Sequence, residues 1–314
     1  IIAEAGESLA HRFVEYFAAT IRNHNTRIAY VHNVGQFMDW CERHRLSLGQ
    51  IDSLVVASYI ELISRTYAPP SVKQHLAAIR MCFDWLVSGG HIETNPAWSV
   101  RGPKHVVKKG KTPVLTAEQA RDLIDSIDTS TVMGLCDRAL IGIMVFSFAR
   151  VGAVVKMNVE DYWPNGKRWF VRLHEKGGKF HELPCHHKAE EYLDAYLKAA
   201  GISEDPKGPL FRTIHARSGN LTGRRATTND VLRMIKRRAK AEEKLAKLDK
   251  RMPRFTTKIC CHTFRATGIT AYLQAGGTLE LAQAIAAHES PRTTKLYDRT
   301  GEQIAVSEIE RIAI

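Results

Sequence analysis

The sequence predicts a mainly α-helical protein in two parts: an all-helical N-terminal domain and an α+β domain with a small antiparallel sheet. Three observations lead there. Apolar residues recur at helical spacing through the first hundred positions, and a basic stretch with Pro, Gly and little to bury interrupts the chain at residues 104–113. In the second half, two alternating segments flank a Gly-Gly turn. At 314 residues the chain has room for two domains of about 100–200 residues each.

The elements follow in order. Leu9, Phe13, Phe17 and Ile21 share a helical face, as do Tyr30, Val34, Phe37, Met38 and Cys41, and residues 55–63 are a third apolar-periodic stretch. Pro69-Pro70-Ser71 opens a fourth helix carrying Val72, Leu76, Ile79, Phe83 and Leu86, which Gly89-Gly90 ends. Asn95-Pro96 turns the chain toward the 104–113 linker, so the first domain spans 1–103 and the second 114–314. Thr116 is the expected N-cap of the second domain's first helix, and helices continue to about Lys156. Residues 169–175 alternate as a strand, Lys176-Gly177-Gly178-Lys179 turns, and residues 180–183 return as its partner, closed by Pro184. Everything after Ala189 reads as helical, broken near 201–209 and 217–225, with residues 236–252 a highly charged helix lacking a strong apolar face. No internal repeat is found.

The net charge is +12 from 45 Lys and Arg against 33 Asp and Glu, and it is unevenly spread. Residues 1–103 carry nine of each sign, residues 104–113 carry four Lys and no acid, and residues 207–258 hold 16 bases and four acids. A solvated helix face is one reading of such a run. Its concentration beside a basic linker favours a surface for a polyanion, most simply a nucleic-acid backbone. A hydrophobic fraction of 44% and a mean hydropathy of −0.24 fit a folded soluble chain. No segment approaches the ~20 apolar residues of a membrane span, and no signal-peptide layout is present. Cys41, Cys82, Cys136, Cys185, Cys260 and Cys261 form no CxxC pair and are expected as reduced thiols in the cytoplasm. Secreted, membrane and disulfide-scaffold classes are excluded. The chain does not begin with Met, as a trimmed or processed N-terminus would not.

The chemistry-bearing residues cluster late. His262 and Arg265 lie at i and i+3 of one helix; His288 follows 26 residues after His262, and Tyr297 nine residues after His288, beyond a Ser290-Pro291 helix start that puts it about two turns into a new helix. The buried-looking run 141–148 ends in Ala149-Arg150, and Lys176 sits at the hairpin turn. In order along the chain stand HIETNPAWSVRGPK (91–104), PVLTAEQARDLI (113–124), RLHEKGGKFHELP (172–184), HTFR (262–265) and AAHESPRTTKLYDR (286–299). With these five motifs the chain resembles the tyrosine recombinase, or phage integrase, superfamily over essentially its whole length.

The resemblance implies a clamp around duplex DNA, built from an all-helical core-binding domain and a mostly helical catalytic domain with a small antiparallel sheet. It implies Tyr297 as nucleophile, Arg150 and Arg265 as the arginine pair, Lys176 as the hairpin lysine, and His262 and His288 as the two histidines. Phenolate attack on a phosphodiester builds negative charge on the non-bridging oxygens. Two guanidiniums can clamp these with paired hydrogen bonds, so neither metal nor other cofactor nor ATP is expected. A tyrosine hydroxyl ordinarily ionises near pH 10, so a base such as His262 is expected to help, while Lys176 protonates the leaving 5′ oxygen and His288 bonds the phosphate. Lys179 competes with Lys176, and Arg150 with the reading of a plain helix-end cation. Cys260-Cys261-His262 and Cys185-His186-His187 invite zinc, but adjacent ligands do not close one tetrahedral site without strain. Three positions depart from the family pattern: Ala153 replaces the acid three residues beyond the first arginine, Ser147-Phe148-Ala149 precedes that arginine, and His181 replaces an arginine of the hairpin.

The expected function is site-specific recombination of double-stranded DNA through a 3′-phosphotyrosine and a four-way junction. A homotetramer is expected, linked by exchange of the C-terminal segment 302–314, where Ile309 and Ile312 share a face. The alternatives are a type IB topoisomerase-like nicking–closing enzyme and a DNA-binding regulator without catalysis. A cytoplasmic, nucleoid-associated location is expected, with no membrane contact. The target site, the choice among integration, excision and resolution, and the need for an accessory protein are left open. No arm-binding domain is visible, though trimming would remove one.

Overall fold

The computed structural model describes residues 16, 19–107, 110–175, 178–215, 218–255 and 257–298, in two compact units, Ile1–Val106 and Val107–Ile314. Leu9, Phe13 and Phe17, the turn lysine Lys176 and the 302–314 segment lie outside the described residues.

In the first unit, α1 (His24–Arg43) begins where the Asn23 side chain accepts the Thr26 N–H, and α2 (Ser53–Ser64) where Asp52 accepts the Val55 N–H. The third helix, α3 (Pro69–Ser88), starts on Pro69 and ends at Gly89 as the sequence predicts. Their apolar faces meet at Phe37, whose ring lies edge-on to Tyr59 at 5.0 Å and to Phe83 at 6.0 Å, one aromatic from each helix. Arg80 donates to the Ala97 carbonyl at 3.1 Å and to that of Val100, and so holds the segment that leaves α3.

The second unit opens with α4 (Ala117–Asp125), where Thr116 and Gln119 form the reciprocal cap expected of the N-terminus. The near-continuous apolar helix α5 (Val132–Phe146) is buried along most of its length and packs against α7 (His187–Ala200). Between them lie α6 (Val151–Val154) and a three-stranded antiparallel sheet in the order β1-β2-β3. The strands are β1 (Tyr162–Asn165), β2 (Arg168–His174) and β3 (Phe180–Pro184), with Val171 opposite both Tyr162 and Leu183. The sequence reading anticipates β2 and β3 and misses β1. Its signal is Asn165-Gly166: Gly166 adopts φ +62° in a two-residue turn that pairs Asn165 with Arg168.

Two further corrections concern the C-terminal half. Residues read as helical or broken form a hairpin, β4 (Arg212–Ile214) with β5 (Leu221–Arg225), too short for a period to register. The charged stretch 236–252 is mostly the end of α8 (Thr228–Leu248), and it does have a buried face, of Ala239, Glu242 and Ala246. Glu242 accepts Arg251 at 2.6 Å, the Arg254 backbone at 2.7 Å and the Arg254 guanidinium at 3.1 Å. These bonds, Arg251 foremost, pull its carboxyl down to about 2 despite burial. On the same helix Arg237 and Arg238 reach the buried Asp137 of α5 at 3.2 and 2.6 Å. Part of the positive run therefore pins α8 in place, while Lys236, Lys240, Lys244 and Lys247 stay exposed.

The chain closes with α9 (Cys261–Gln274), α10 (Leu279–Ile285) and α11 (Pro291–Lys295). Helix α9 crosses α5 at Gly268, where an added Cβ would sit 2.0 Å from the Val145 carbonyl oxygen and 2.8 Å from the Phe148 ring. Gly268→Ala is therefore expected to destabilise the fold by about 1–3 kcal/mol, since backbone must move. Gly35→Ala on the open face of α1, where nothing lies within 4 Å, is expected to stabilise by up to about 1 kcal/mol. Thermal melts of the two variants check these opposite signs.

Candidate active site

Arg265 is the centre of the site. Its place in the second turn of α9 points it into the protein, where it is 1% exposed. One guanidinium nitrogen donates to the Phe148 carbonyl and the other to the Ala286 carbonyl at 2.7 Å. Phe148 belongs to the loop between α5 and α6, and Ala286 caps α10. Each loop bends through a non-glycine residue in the left-handed region, Phe148 at φ 52° and Ala287 at φ 47°. Such residues cost of order 1–3 kcal/mol and persist where surrounding structure enforces them. Burial, with repulsion from Arg150 added, lowers the Arg265 pKa to about 10, so the group remains cationic at neutral pH. Two of its five N–H donors serve the carbonyls, leaving three. Tyr297 is close enough to act on this arginine, raising its pKa against the burial.

Arg150 is the N-cap residue of α6 and is half-exposed. It donates to the carboxylate of Glu175 at 2.7 Å. Glu175 directly follows β2; its N–H closes the hairpin onto the Lys179 carbonyl at 2.8 Å, and its side chain is 9% exposed.

The remaining groups approach from α9 to α11. His288 is buried, its Nδ1 lies 2.8 Å from Thr294 Oγ1, and its ring stacks on Tyr297 with centroids 5.8 Å apart and planes 7° from parallel. Burial, reinforced by Arg265 and Arg150, drives its pKa to about 3, so the imidazole is neutral at pH 7. His262 presents an exposed edge, yet desolvation of its inner side and the same two arginines also lower its pKa. Tyr297 is half-buried, its backbone N–H bonded to Thr294 at 2.9 Å and its carbonyl accepting Thr270 Oγ1 at 2.8 Å. The tyrosine's main chain is thus tied to α9, the helix of His262 and Arg265.

Five of the six predicted residues, Arg150, His262, Arg265, His288 and Tyr297, are brought together. Lys176 lies outside the described residues, and its competitor Lys179 is exposed. The Ser290-Pro291 start is found as predicted, with Ser290 as N-cap. The helix it opens has only five residues, so Tyr297 lies just past its C-cap, Leu296, rather than two turns inside it. His181 donates from Nε2 to the Ile285 carbonyl at 3.1 Å, which links β3 to α10. Among the described residues, no group of three or more His, Cys, Asp or Glu is placed to hold a metal ion. Glu175, Thr270 and Thr294 escape a reading by motif, because their roles are set by contacts across the fold.

Because Arg265 satisfies two carbonyls at once, Arg265→Lys is expected to leave at least one of them without its partner. A buried polar group stranded in this way costs about 1–3 kcal/mol, and a single ammonium cannot reproduce the planar fork. Urea unfolding of the variant, with a drop of that size and an unchanged m-value, is the check.

The phage integrase family model matches residues 113–303, and the phage integrase N-terminal SAM-like domain matches residues 10–90. Tyrosine recombinase XerC of Myxococcus xanthus is 27% identical over 269 residues, covering 84% of this chain and 83% of that protein. Tyrosine recombinase XerD of Listeria innocua is 26% identical over 277 residues, with 87% of each chain covered. Among solved structures, XerH site-specific recombinase bound to difH substrate aligns with a TM-score of 0.67 at 17% identity, covering 96% of this chain and 94% of that one. A lambda integrase tetramer bound to a Holliday junction aligns with a TM-score of 0.66 at 18% identity, covering 92% and 76%. These structures share the fold: mostly helical, with a small antiparallel sheet. With more than half its length matched by the catalytic-domain model and the SAM-like domain ahead of it, the chain belongs to the phage integrase family.

Proposed function

We propose that the protein is a site-specific recombinase that cuts and rejoins DNA through Tyr297, with Arg150, Lys176, His262, Arg265 and His288 as the remaining catalytic groups. The observation that carries this reading is the grouping of two arginines and two histidines around one tyrosine within an integrase-family domain. In the proposed step the Tyr297 hydroxyl gives its proton to His262, which is neutral at pH 7 and so free to accept it. The tyrosine oxygen forms a bond to phosphorus, the bond from phosphorus to the 5′ oxygen breaks, and Lys176 supplies that oxygen's proton. The donors of Arg265 not committed to carbonyls, together with Arg150, meet the charge that develops on the non-bridging oxygens. Neutral His288, its Nδ1 beside Thr294, offers Nε2 to the same phosphate. The 3′-phosphotyrosine link conserves the bond energy, so religation needs no ATP, and the arginines do the work a metal does elsewhere.

In this reading residues 1–103 form the core-binding domain, 104–113 the basic linker and 114–314 the catalytic domain. Four copies act on paired sites, joined by exchange of the 302–314 segment, an arrangement consistent with the tetramer on a Holliday junction seen for lambda integrase. No described helix is long and apolar enough to cross a membrane, and action on DNA in the cytoplasm follows from the reading.

Two experiments test it on duplexes that the protein selects from a random-sequence pool. Tyr297→Phe is expected to bind such a duplex as the unmodified chain does, yet leave no covalent protein–DNA adduct on a denaturing gel. The unmodified chain's adduct should persist in a chelator. An adduct from Tyr297→Phe would overturn the nucleophile assignment.

Lys176→Ala is expected to lose cleavage by about 100-fold or more, as loss of a general acid does. A 5′-bridging sulfur in the substrate should restore the rate, because a thiolate leaves without protonation. If Lys179→Ala is restored instead, the acid is Lys179.

A further inference from the structure

Glu175 is a buried carboxylate to which the reaction above gives no part. It is 8% exposed overall, its Oε2 lies 2.7 Å from Arg150 Nη1, and its backbone closes the β2–β3 turn. Three cations or potential cations crowd the same volume: Arg150 and Arg265 each depress the pKa of His288, and Arg150 depresses that of Arg265. Glu175 acts in the opposite sense on Arg265. Among the described residues it is the acid that counters the positive charge around that arginine, and Ala153, 3% exposed on α6, supplies none from the helix that Arg150 caps. Arg150 is otherwise on a loose footing. It is half-exposed on a four-residue helix, with no side-chain bond to the helix end it caps. An unpaired surface arginine samples many rotamers, and fixing it costs side-chain entropy. One contact from a carboxylate at one edge of the guanidinium leaves the other N–H groups for an anion.

We propose that Glu175 is the positioning residue of Arg150, holding the guanidinium by one edge so that the other faces the scissile phosphate. The inference rests on the reading of Arg150 as a phosphate clamp. It assigns Glu175 an effect on the rate of the chemical step and not on DNA affinity, because affinity for DNA sums over many backbone contacts, of which one clamp is a small share.

The test uses the full chain, a duplex recovered by selection from a random pool, and the rate of covalent adduct formation at saturating protein. Glu175→Gln keeps the shape and removes the charge. It is expected to slow adduct formation by about 10- to 100-fold, near the low end of losing an oxyanion donor, while the dissociation constant changes less than twofold. Glu175→Asp, which restores a carboxylate one methylene shorter, should recover part of the rate. The decisive substrate carries a methylphosphonate at the scissile position, where one non-bridging oxygen and its charge are gone. There the gap between Glu175→Gln and the unmodified chain should narrow, since a clamp matters less without the charge. A purely structural glutamate would lower the melting temperature and leave the gap equal on both substrates, which would overturn the inference. Faster cleavage or tighter binding by Glu175→Gln would also overturn it, by making Glu175 a competitor of the phosphate. Failure of the unmodified chain to form an adduct would remove the clamp reading itself, a result distinct from a Glu175→Gln variant that matches an active parent.

Discussion

The burial of one positive charge organises the catalytic half of the molecule. Arg265 cannot leave water without partners, and its two carbonyl acceptors come from loops that are 138 residues apart in sequence, at Phe148 and Ala286. To supply those oxygens both loops take up left-handed turns at residues with side chains, and Gly268 lets α9 lie close enough to α5 for Arg265 to reach the first of them. The rest is arranged around that tie. The loop after α5 delivers Arg150, the loop after α10 delivers His288, and α9 itself carries His262 and grips the Tyr297 backbone through Thr270. Among the described residues, the partners that hold these groups are mostly backbone carbonyls and threonine hydroxyls, with one carboxylate, Glu175, at the edge. Neutral partners of this kind hold the arginines without cancelling their charge, which is the condition an anion needs to be drawn there.

Much of this was legible in the sequence, for identifiable reasons. The helices of the first unit announce themselves by period, and Pro69, Gly89 and Thr116 mark boundaries because each has a local steric or hydrogen-bonding cause. Motif order singled out Arg150, His262, Arg265, His288 and Tyr297, which the fold brings near one another although they are spread over 148 positions. Short strands were not legible: Tyr162–Asn165 contains a proline and spans four residues, and Arg212–Ile214 only three, too few for alternation to stand out. The face of α8 was missed because it is made from alanines and a glutamate, residues that hydropathy does not score as core. Glu175 was hidden for a related reason, being an ordinary acid in a charged hairpin until the fold sets it against Arg150.

The basic run carries a second division of labour. Asp137 takes up Arg237 and Arg238, and Glu242 takes up Arg251 and Arg254, so these cations bind the domain together. Glu242 keeps its charge until pH falls to about 2, whereas an unfolded glutamate titrates near 4.3. Its contribution is therefore full above that unfolded value and fades as acid approaches the folded one. Among the described residues, the exposed lysines on the same helix are given no such buried acid, and they form a surface suited to an external polyanion. Net charge alone, in which both kinds count equally, conceals the distinction.

The crowding of Arg150 and Arg265 has a thermodynamic side. Burial and the neighbouring Arg150 both make the Arg265 charge costlier, with Glu175 acting against them, a cost to the folded state that composition does not reveal. An anion bound between the two arginines relieves that cost only in the folded chain, so fold and ligand are coupled by mass action. A ligand at a hundred times its dissociation constant adds about 2.7 kcal/mol to stability. An anion held at this point would offset the repulsion and steady the folded chain where its like charges crowd.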